Sequence, residues 1–410
     1  MVKVVVFNLG CKVNQYESDM IVNKLKSKGD IEVSERLEYA EYYIVNTCAV
    51  TSEAEKKSRQ CIARIKKINP SAKILICGCA SENNPKQFEK SNVIYISGTA
   101  NKEDLANLMC KNVNVSVIPT VYEDVGNAYS LRTRSYIKVQ DGCNNFCSYC
   151  LIPYVRGRSR SRNIESIVDE INETKNKCLE IVLTAINLSA YGLDIGINLC
   201  DLINSLSLFD IRIRLGSVEM NIIDDKLLNS LKQLKNFCPH FHLSLQSGDD
   251  SVLKCMNRHY STSDFFDKVE LIRKYFADAA ITTDIICGFP TETNEQFLNT
   301  CAFIEKVWFS DLHVFPYSKR VGTIAAKLTE LAPTIVSERA EILSKIKQRL
   351  KTNYILQFIN KPIEVLFEDC DGEICSGYSK NYIKVYGKGF CSNSIENVVP
   401  TELFLDGLKV

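Results

Sequence analysis

The sequence lacks several features that would assign it to a common class of protein. None of its apolar runs approaches the ~18–20 residues that span a membrane, and the apolar stretch Val2–Phe7 is too short for a signal-peptide core. Fifty basic and 49 acidic residues leave a net charge of +1, so overall charge neither indicates nor excludes a nucleic-acid partner. Without a secretory signal, we expect the 18 cysteines to be reduced thiols in a cytoplasmic protein.

Three of the cysteines, Cys143, Cys147 and Cys150, stand close together with the spacing C-x₃-C-x₂-C. Cysteine thiolates hold iron–sulfur clusters, and a four-iron cluster normally takes four of them. Three close cysteines with no fourth nearby leave one iron open to a small molecule, as in a catalytic metal site. The alternatives are three core cysteines or a zinc site. Zinc usually needs a second Cys or His pair, and no histidine lies within 80 residues. The spacing resembles the radical S-adenosylmethionine (SAM) superfamily.

The first ~110 residues alternate between short strands and helices, which indicates a parallel sheet with helices on its faces. Each of the first three predicted strands is followed by a cysteine: Cys11, Cys48 and Cys79. Ligands of open parallel sheets bind outside the carboxyl ends of the strands, so these thiols can converge on one object. We infer a second iron–sulfur cluster, with three unrelated buried cysteines as the alternative. Cys77, inside the third strand, is better explained as a core residue.

A second series of strands and helices follows a predicted linker at residues 111–133. Six strands are predicted at Ser135–Val139, Glu180–Thr184, Ile211–Ser217, His242–Gln246, Thr282–Ile286 and His313–Pro316. Six such units indicate a complete or incomplete β/α barrel, with its chemistry at the carboxyl ends of the strands. The Cys143–Cys150 segment follows the first of these strands and therefore lies on that face.

Polar side chains near the ends of the barrel strands are candidate ligands for a cofactor or substrate. They are Asn187, Glu219, Gln246 and Asp284. Arg258 is a further candidate because a guanidinium can pair with a carboxylate. Each of the five could instead be an ordinary turn, cap or surface residue. No catalytic acid or base is identified.

Two basic regions can contact a phosphate backbone. Four arginines recur at every second residue after the cysteine segment: Arg156, Arg158, Arg160 and Arg162. Guanidinium groups bind phosphate well, so these arginines could contact a phosphate backbone. The alternative is that they are a run of charged residues exposed to solvent. After a long helix predicted over Ser337–Ile359, short β runs indicate a small all-β barrel. Its basic and aromatic residues favour RNA binding but also occur in ordinary strands: Lys361, Lys380, Lys384, Lys388, Tyr378, Tyr382 and Tyr386.

The order of these three parts resembles the methylthiotransferase family. The resemblance is carried by Leu9–Ser18, Asn46–Thr51, Gly78–Ala80, Gly142–Arg158, Leu243–Gly248 and Asp284–Thr293. It implies an α/β protein in three domains. These are a methylthiotransferase N-terminal domain over 1–112, a partial (βα)6 radical SAM barrel over 129–355, and a TRAM-like RNA-binding barrel over 356–410. The chain departs from the family pattern in the loops Ala185–Ser189 and Ser318–Thr323.

The opening motif Leu9–Ser18 looks like the branch that acts on N6-threonylcarbamoyladenosine at position 37 of tRNA, next to the anticodon. The resemblance implies that Cys143, Cys147 and Cys150 hold a [4Fe–4S] cluster whose open iron binds SAM. One electron cleaves SAM to a 5′-deoxyadenosyl radical, which removes a hydrogen from the base. A second [4Fe–4S] cluster carries the sulfur, which a second SAM methylates, and its ligands are Cys11, Cys48 and Cys79.

The implied reaction needs partners besides tRNA. It requires a sulfur donor and an external electron donor of the flavodoxin or ferredoxin type, since the chain contains no flavin motif. Three alternatives stay open. They are the same chemistry on another tRNA adenosine or a ribosomal protein, a different radical SAM enzyme with an auxiliary cluster, and a non-enzymatic iron–sulfur RNA-binding protein.

Overall fold

The computed structural model describes residues 2–107, 112–114, 117–124 and 133–410, which form three successive parts. The remaining residues of the predicted linker at 111–133 lie outside the described ones. Among the helices described, none is both long enough and apolar enough to cross a membrane.

The N-terminal part is a six-stranded parallel sheet. Its strands are β1 (Val2–Asn8), β2 (Ile31–Ser34), β3 (Tyr42–Thr47), β4 (Lys73–Gly78), β5 (Val93–Ser97) and β6 (Asn112–Asn114). Its helices are α1 (Lys12–Lys26), α2 (Ser52–Ile68) and α3 (Cys79–Asn83). The strands lie in the order β2-β1-β3-β4-β5-β6, which makes β1, β3 and β4 neighbours. Two strands were not predicted, β2 and β6, because both are short and lie at the edges of the sheet.

The central part is a half-barrel of parallel strands. Its strands are β7 (Arg134–Asp141), β8 (Arg160–Ser161), β9 (Glu180–Ala185), β10 (Arg212–Leu215), β11 (Ser217–Val218), β12 (His240–Leu243), β13 (Ala280–Cys287) and β14 (Asp311–Pro316). Its helices are α4 (Ile152–Val155), α5 (Ile164–Thr174), α6 (Leu199–Ser205), α7 (Asp225–Gln233), α8 (Asp250–Cys255), α9 (Thr262–Tyr275), α10 (Asn294–Val307) and α11 (Pro333–Leu356). The short strand β8 pairs antiparallel with β7.

The strand predicted over Ile211–Ser217 is interrupted at Gly216. The amide of Gly216 donates a hydrogen bond to the Leu183 carbonyl at 2.8 Å. A Cβ at Gly216 would lie 2.9 Å from that oxygen, so the close approach requires glycine. As a result, β10 pairs with β9 while β11 pairs with β12, and the half-barrel is described as two four-stranded sheets.

The fourth barrel strand begins and ends earlier than the sequence predicted. It covers His240–Leu243, whereas the prediction was His242–Gln246. Gln246 has a φ of +74°, a left-handed conformation that breaks a regular strand, and it joins β13 only through an isolated bridge to Ile285. The prediction was wrong here because alternating apolar residues do not reveal a left-handed position.

The C-terminal part is an all-β sheet. Its strands are β15 (Ile363–Asp371), β16 (Ile374–Ser379), β17 (Lys384–Lys388), β18 (Ser394–Val398), β19 (Glu402–Phe404) and β20 (Gly407–Lys409), in the order β18-β15-β16-β17-β20-β19. Its core includes Val365, Phe367 and Val385, against which Tyr354 and Phe358 pack from the end of α11 and the residues after it. The sheet also contacts the half-barrel directly, since Arg212 of β10 pairs with Glu364 at 2.8 Å.

A buried network of charges joins the N-terminal sheet to the half-barrel. We call it the Glu17 network, and its members are Glu17, Lys102, Lys138, Asp141, Arg156 and Arg160. Arg156 forms two parallel contacts with Glu17, at 2.9 and 3.1 Å, and another with Asp141 at 3.1 Å. Burial acts to raise the pKa of Glu17, but Arg156, Lys102 and Lys138 outweigh it, and the pKa lies well below its usual value.

Three of the four alternating arginines are therefore neither a phosphate patch nor a solvated charge run. Arg156 and Arg160 belong to the Glu17 network, and Arg162 pairs with buried Glu170. Only Arg158 is exposed, with its guanidinium 4.4 Å from the centre of the Phe146 ring. Sequence spacing could not reveal this, because the partner Glu17 lies 139 residues away in the chain.

Glu17→Gln should destabilise the protein strongly, because it leaves buried cations without their shared carboxylate. We expect a loss of about 3–5 kcal/mol in the free energy of unfolding at pH 7, measured by urea unfolding followed by circular dichroism. The lowered pKa of Glu17 means that its contribution is present above the usual value of 4.5 and is lost as the pH falls through the folded pKa. The effect of the substitution should therefore shrink in acid.

Glu32→Gln is the matched control within the same sheet. Glu32 pairs with Lys3 at 3.3 Å, but its side chain is 56% exposed. Solvent screens such a pair, so the loss should stay below about 1 kcal/mol. Equal losses in the two variants would contradict the structural role assigned to the Glu17 network.

Candidate functional site

The Cys143–Cys150 loop follows β7 and is held in place by backbone hydrogen bonds. The Cys143 amide donates to the Gly157 carbonyl at 3.0 Å, and the Ser148 amide donates to the Met256 carbonyl at 3.0 Å. Gly142, just before the loop, has a φ of +71°, and a Cβ there would lie 1.9 Å from the Arg158 carbonyl oxygen. The loop can therefore turn so tightly only with glycine at this position.

Each sulfur of the loop accepts a hydrogen bond from outside its own residue. Asn187 Nδ2 lies 3.8 Å from Cys143 Sγ, Arg258 lies 3.4 Å from Cys147 Sγ, and the Ile152 amide lies 3.4 Å from Cys150 Sγ. Such hydrogen bonds to sulfur are a feature of iron–sulfur sites, where they tune the potential. Burial raises the pKa of Cys150 to about 12, and the neighbouring thiols act in the same direction, so metal binding must displace protons.

Three of the five predicted polar ligands lie beside this loop. Glu219 accepts hydrogen bonds from Arg258 at 3.0 Å and from Asn145 within the loop at 2.6 Å. Asn187 contacts Cys143, as described above. Asn187, Glu219 and Arg258 therefore lie around the loop, and Arg258 is a buried cation among them.

The other two predicted ligands lie elsewhere in the half-barrel. Asp284 lies on β13 with its Oδ2 atom 3.2 Å from His242 Nε2. Gln246 is buried, and its backbone amide donates to the Asp284 carbonyl at 2.9 Å. Neither residue has a hydrogen bond to the cysteine loop among the described contacts.

Two histidines accompany Asp284, and neither was predicted as a site residue. Ligand atoms of His242, Asp284 and His313 all lie within 4.8 Å of one another, a grouping found in metal sites. Asp284 and His313 are register partners on β13 and β14. The signal was available, because three of the chain's four histidines lie on predicted barrel strands or beside them.

The N-terminal cysteines follow three neighbouring strands, at the carboxyl edge of the sheet. Cys11 precedes α1, Cys48 follows β3 and Cys79 begins α3. Burial raises the pKa of Cys48 to about 12, and the neighbouring thiols Cys79 and Cys11 contribute to this rise. Arg156 of the Glu17 network donates to Cys79 Sγ at 3.1 Å. Cys77 is fully buried in the core, as the sequence indicated.

One cavity of about 630 Å³ lies where the three parts of the chain meet. The N-terminal part contributes Cys11 and Lys12, and the half-barrel contributes the group of His242, Asp284 and His313. Helix α11 and the C-terminal sheet supply other lining residues, among them Lys351, Tyr378, Tyr382 and Lys384. The cavity therefore connects one N-terminal cysteine with the interior of the half-barrel.

Two tyrosines of the C-terminal part, Tyr378 and Tyr382, line this cavity. Tyr382 stacks on His240 with ring centres 4.7 Å apart, and on Tyr378 at 4.8 Å. The third tyrosine predicted to stack on bases, Tyr386, does not line the cavity; it is buried and hydrogen-bonds to Asp406.

Three lysines of the same part are ion-paired. They are Lys380 with Glu364 at 3.4 Å, Lys384 with Asp406 at 3.5 Å and Lys388 with Glu373 at 2.8 Å.

Two family models match the chain. The model of the radical SAM superfamily matches residues 137–304, and that of uncharacterized protein family UPF0004 matches residues 3–97. The first match covers the cysteine loop and most of the half-barrel, and the second covers all three N-terminal cysteines.

Solved structures agree with this fold. The radical SAM methyltransferase TsrM from Kitasatospora setae has a TM-score of 0.58 and 15% identity, over 79% of this chain and 77% of that chain. At this identity the similarity shows the fold alone.

Several curated proteins are similar over most of their length. The threonylcarbamoyladenosine tRNA methylthiotransferase MtaB of Thermotoga maritima is 38% identical, over 92% of this chain and 89% of its own length. The protein of the same name from Bacillus subtilis is 35% identical, over 95% and 91%. The tRNA-2-methylthio-N(6)-dimethylallyladenosine synthase of Caldicellulosiruptor saccharolyticus is 33% identical, over 98% and 87%. By its identity to these relatives and its two matched domains, the chain belongs to the family of radical SAM methylthiotransferases.

Proposed function

We propose that the chain catalyses 2-methylthiolation of N6-threonylcarbamoyladenosine at position 37 of tRNA. Methylthiolation of tRNA by radical SAM chemistry, with a [4Fe–4S] cluster and SAM, is the activity of its family. The finer substrate is supported by the opening motif Leu9–Ser18 and by the identities. These are 34–38% to five threonylcarbamoyladenosine enzymes and 32–34% to three dimethylallyladenosine synthases. The observation that carries the proposal is the cavity that connects Cys11 with the interior of the half-barrel.

The residues of the Cys143–Cys150 loop fit a [4Fe–4S] cluster. They offer three thiols, each with a hydrogen-bond donor at its sulfur, and no fourth cysteine lies in the loop. We propose that Cys143, Cys147 and Cys150 hold the cluster. Nearby Asn187, Glu219 and Arg258, with Gln246 and Asp284 further along the half-barrel, would hold SAM. When bound, cluster and SAM supply the one-electron cleavage that activates an unreactive C–H bond.

Cys11, Cys48 and Cys79 fit a second [4Fe–4S] cluster. Their donor set is again three thiols, and a buried guanidinium stands beside it, since Arg156 donates a hydrogen bond to Cys79 Sγ. A thiolate at Cys79 would accept this hydrogen bond more strongly than the neutral thiol does, because a charge-assisted hydrogen bond is the stronger kind. When bound, this cluster supplies the sulfur that is inserted.

The proposal includes further parts that the reaction needs. We propose domains over 1–112, 129–355 and 356–410, supported by the end of α11 at Leu356 and the start of β15 at Ile363. The first boundary falls within β6, which extends the N-terminal sheet to Asn114. A sulfur donor and a flavodoxin- or ferredoxin-type electron donor act as partners, and a tRNA substrate favours a cytoplasmic enzyme.

Iron content tests the two cysteine sets. Anaerobically reconstituted protein should hold about eight irons per chain if both sets bind four-iron clusters. Replacing Cys143, Cys147 and Cys150 together by Ala should leave about half, because the other set lies in a separate domain. Iron and sulfide analysis decides, with Cys301→Ala as the control that should lose none. Loss of all iron, or of none, in the triple variant would refute two independent sites.

The two cysteine sets should differ in function. Cys147→Ala should abolish reductive cleavage of SAM, whereas Cys48→Ala should leave that cleavage measurable and stop sulfur insertion. The reason is that only the Cys143–Cys150 loop lies beside the proposed SAM ligands. Chromatography of 5′-deoxyadenosine and of methylthiolated nucleosides measures both activities. Loss of SAM cleavage in folded Cys48→Ala protein would mean that the roles are assigned wrongly.

The nucleosides of cellular tRNA test the substrate. Deleting the gene should remove 2-methylthio-N6-threonylcarbamoyladenosine from tRNA digests analysed by mass spectrometry, and the unmethylthiolated nucleoside should accumulate. Restoring the gene with Cys147→Ala should not reverse the loss, and the wild-type gene should. Loss of the 2-methylthio-dimethylallyl nucleoside instead would assign the enzyme to the other adenosine.

A further inference from the structure

The charges that line the cavity are almost fully paired. Three carboxylates reach it, and each has a cationic or hydrogen-bonding partner. Asp284 contacts His242 at 3.2 Å, Asp311 contacts both Lys347 and Lys351 at 3.6 Å, and Asp406 contacts Lys384 at 3.5 Å. Two of the three lysines of the cavity wall, Lys351 and Lys384, are thereby neutralised.

Lys12 is the exception among the cavity lysines. Its side chain is exposed within the cavity and forms no hydrogen bond or ion pair with any residue that the structure describes. The charged groups that act on it from the half-barrel are Arg214, Arg134 and Glu180, and both arginines are themselves paired with Glu180. Lys12 thus has no ion-pair partner of its own among the described residues, and it stands directly beside Cys11.

We propose that Lys12 binds a carboxylate of the substrate. The inference rests on the proposed function, because N6-threonylcarbamoyladenosine carries the free carboxylate of its threonine group, whereas a dimethylallyl group is a hydrocarbon. A cavity of about 630 Å³ has the size of ordinary ligand pockets and can admit such a side group. Lys12 is then a specificity-determining residue, because it stabilises the binding of the acidic substrate and forms no ion pair with the apolar one.

A cation site is the competing use of this cavity, and the surroundings disfavour it. His242, Asp284 and His313 are grouped closely enough to suggest a metal. However, both ring nitrogens of His242 already contact protein groups, Asp284 at one side and Thr282 at the other. Unpaired Lys12 lines the same cavity, and its charge repels a metal ion while it attracts an anion.

Steady-state kinetics with two forms of one tRNA anticodon stem-loop test the proposal. One form carries N6-threonylcarbamoyladenosine, and the other carries its methyl ester, which lacks the negative charge. For the acid, Lys12→Met should raise KM roughly 10- to 100-fold, the usual range for losing a hydrogen bond to a charged group. It should change kcat much less, and the ester should respond little. Lys12→Arg keeps the charge and should restore much of the affinity for the acid.

Lys345→Met is the matched control, because it makes the same change at a lysine of α11 that does not line the cavity. Lys345 pairs with Glu341 at 2.8 Å and its side chain is 75% exposed, so solvent screens its charge and KM for the acid should change by less than about threefold. Iron content is measured in every variant, since Lys12 adjoins Cys11.

The outcomes separate two failures. If the wild-type enzyme does not methylthiolate the acid form, the proposed function and the inference both fall. If it does, but Lys12→Met leaves KM unchanged, only the inference is overturned. If Lys12→Met loses iron, the inference is tested by comparing the two substrates with the wild-type enzyme alone. In that comparison, a KM for the ester at least tenfold above that for the acid supports carboxylate recognition, and equal values overturn it.

Discussion

The docking of the N-terminal sheet on the half-barrel depends on the paired contact between Arg156 and Glu17. Arg156 follows the Cys143–Cys150 loop, and Glu17 lies on α1 of the N-terminal sheet, so the contact joins the two domains. Both side chains are buried, and a buried charge without its partner costs several kcal/mol. Moving the two domains apart would expose these charges to solvent or leave each of them without its partner. The contact therefore fixes the orientation of α1, whose first turn brings Cys11 and Lys12 to the cavity.

This contact also links the two proposed cluster sites electrostatically. The same guanidinium that binds Glu17 donates to Cys79, and the loop that precedes it holds the other three thiols. If Cys11, Cys48 and Cys79 bind a cluster as proposed, the thiolate at Cys79 would strengthen its contact with Arg156, which belongs to the interface. Assembly of the N-terminal site and docking of the two domains would then be thermodynamically coupled.

Local patterns and distant contacts were not equally predictable from the sequence. Alternating strands and helices, and cysteines that follow strands, are local features, so the fold class was confirmed by the structure and the comparisons. The burial of Arg156 was not predictable, because its partners come from distant segments. The break at Gly216 and the left-handed Gln246 were missed because both depend on tertiary contacts. Asp284 was predicted as a cofactor or substrate ligand without its histidine neighbours, because its pairing with His313 follows from the register of β13 and β14.

The two adenosine substrates named for the relatives differ in the group attached to the adenine, threonylcarbamoyl in one and dimethylallyl in the other. An apolar pocket distinguishes side groups weakly, by about 1–3 kcal/mol per methylene, whereas a site built to bind a polar group rejects an analogue without it much more strongly. Lys12 gives the cavity such a site, because an unpaired cation held inside a protein gains most from an anion and least from a hydrocarbon. Because Lys12 directly follows Cys11, the proposed contact would hold the acidic side group of the substrate beside the first of the N-terminal cysteines.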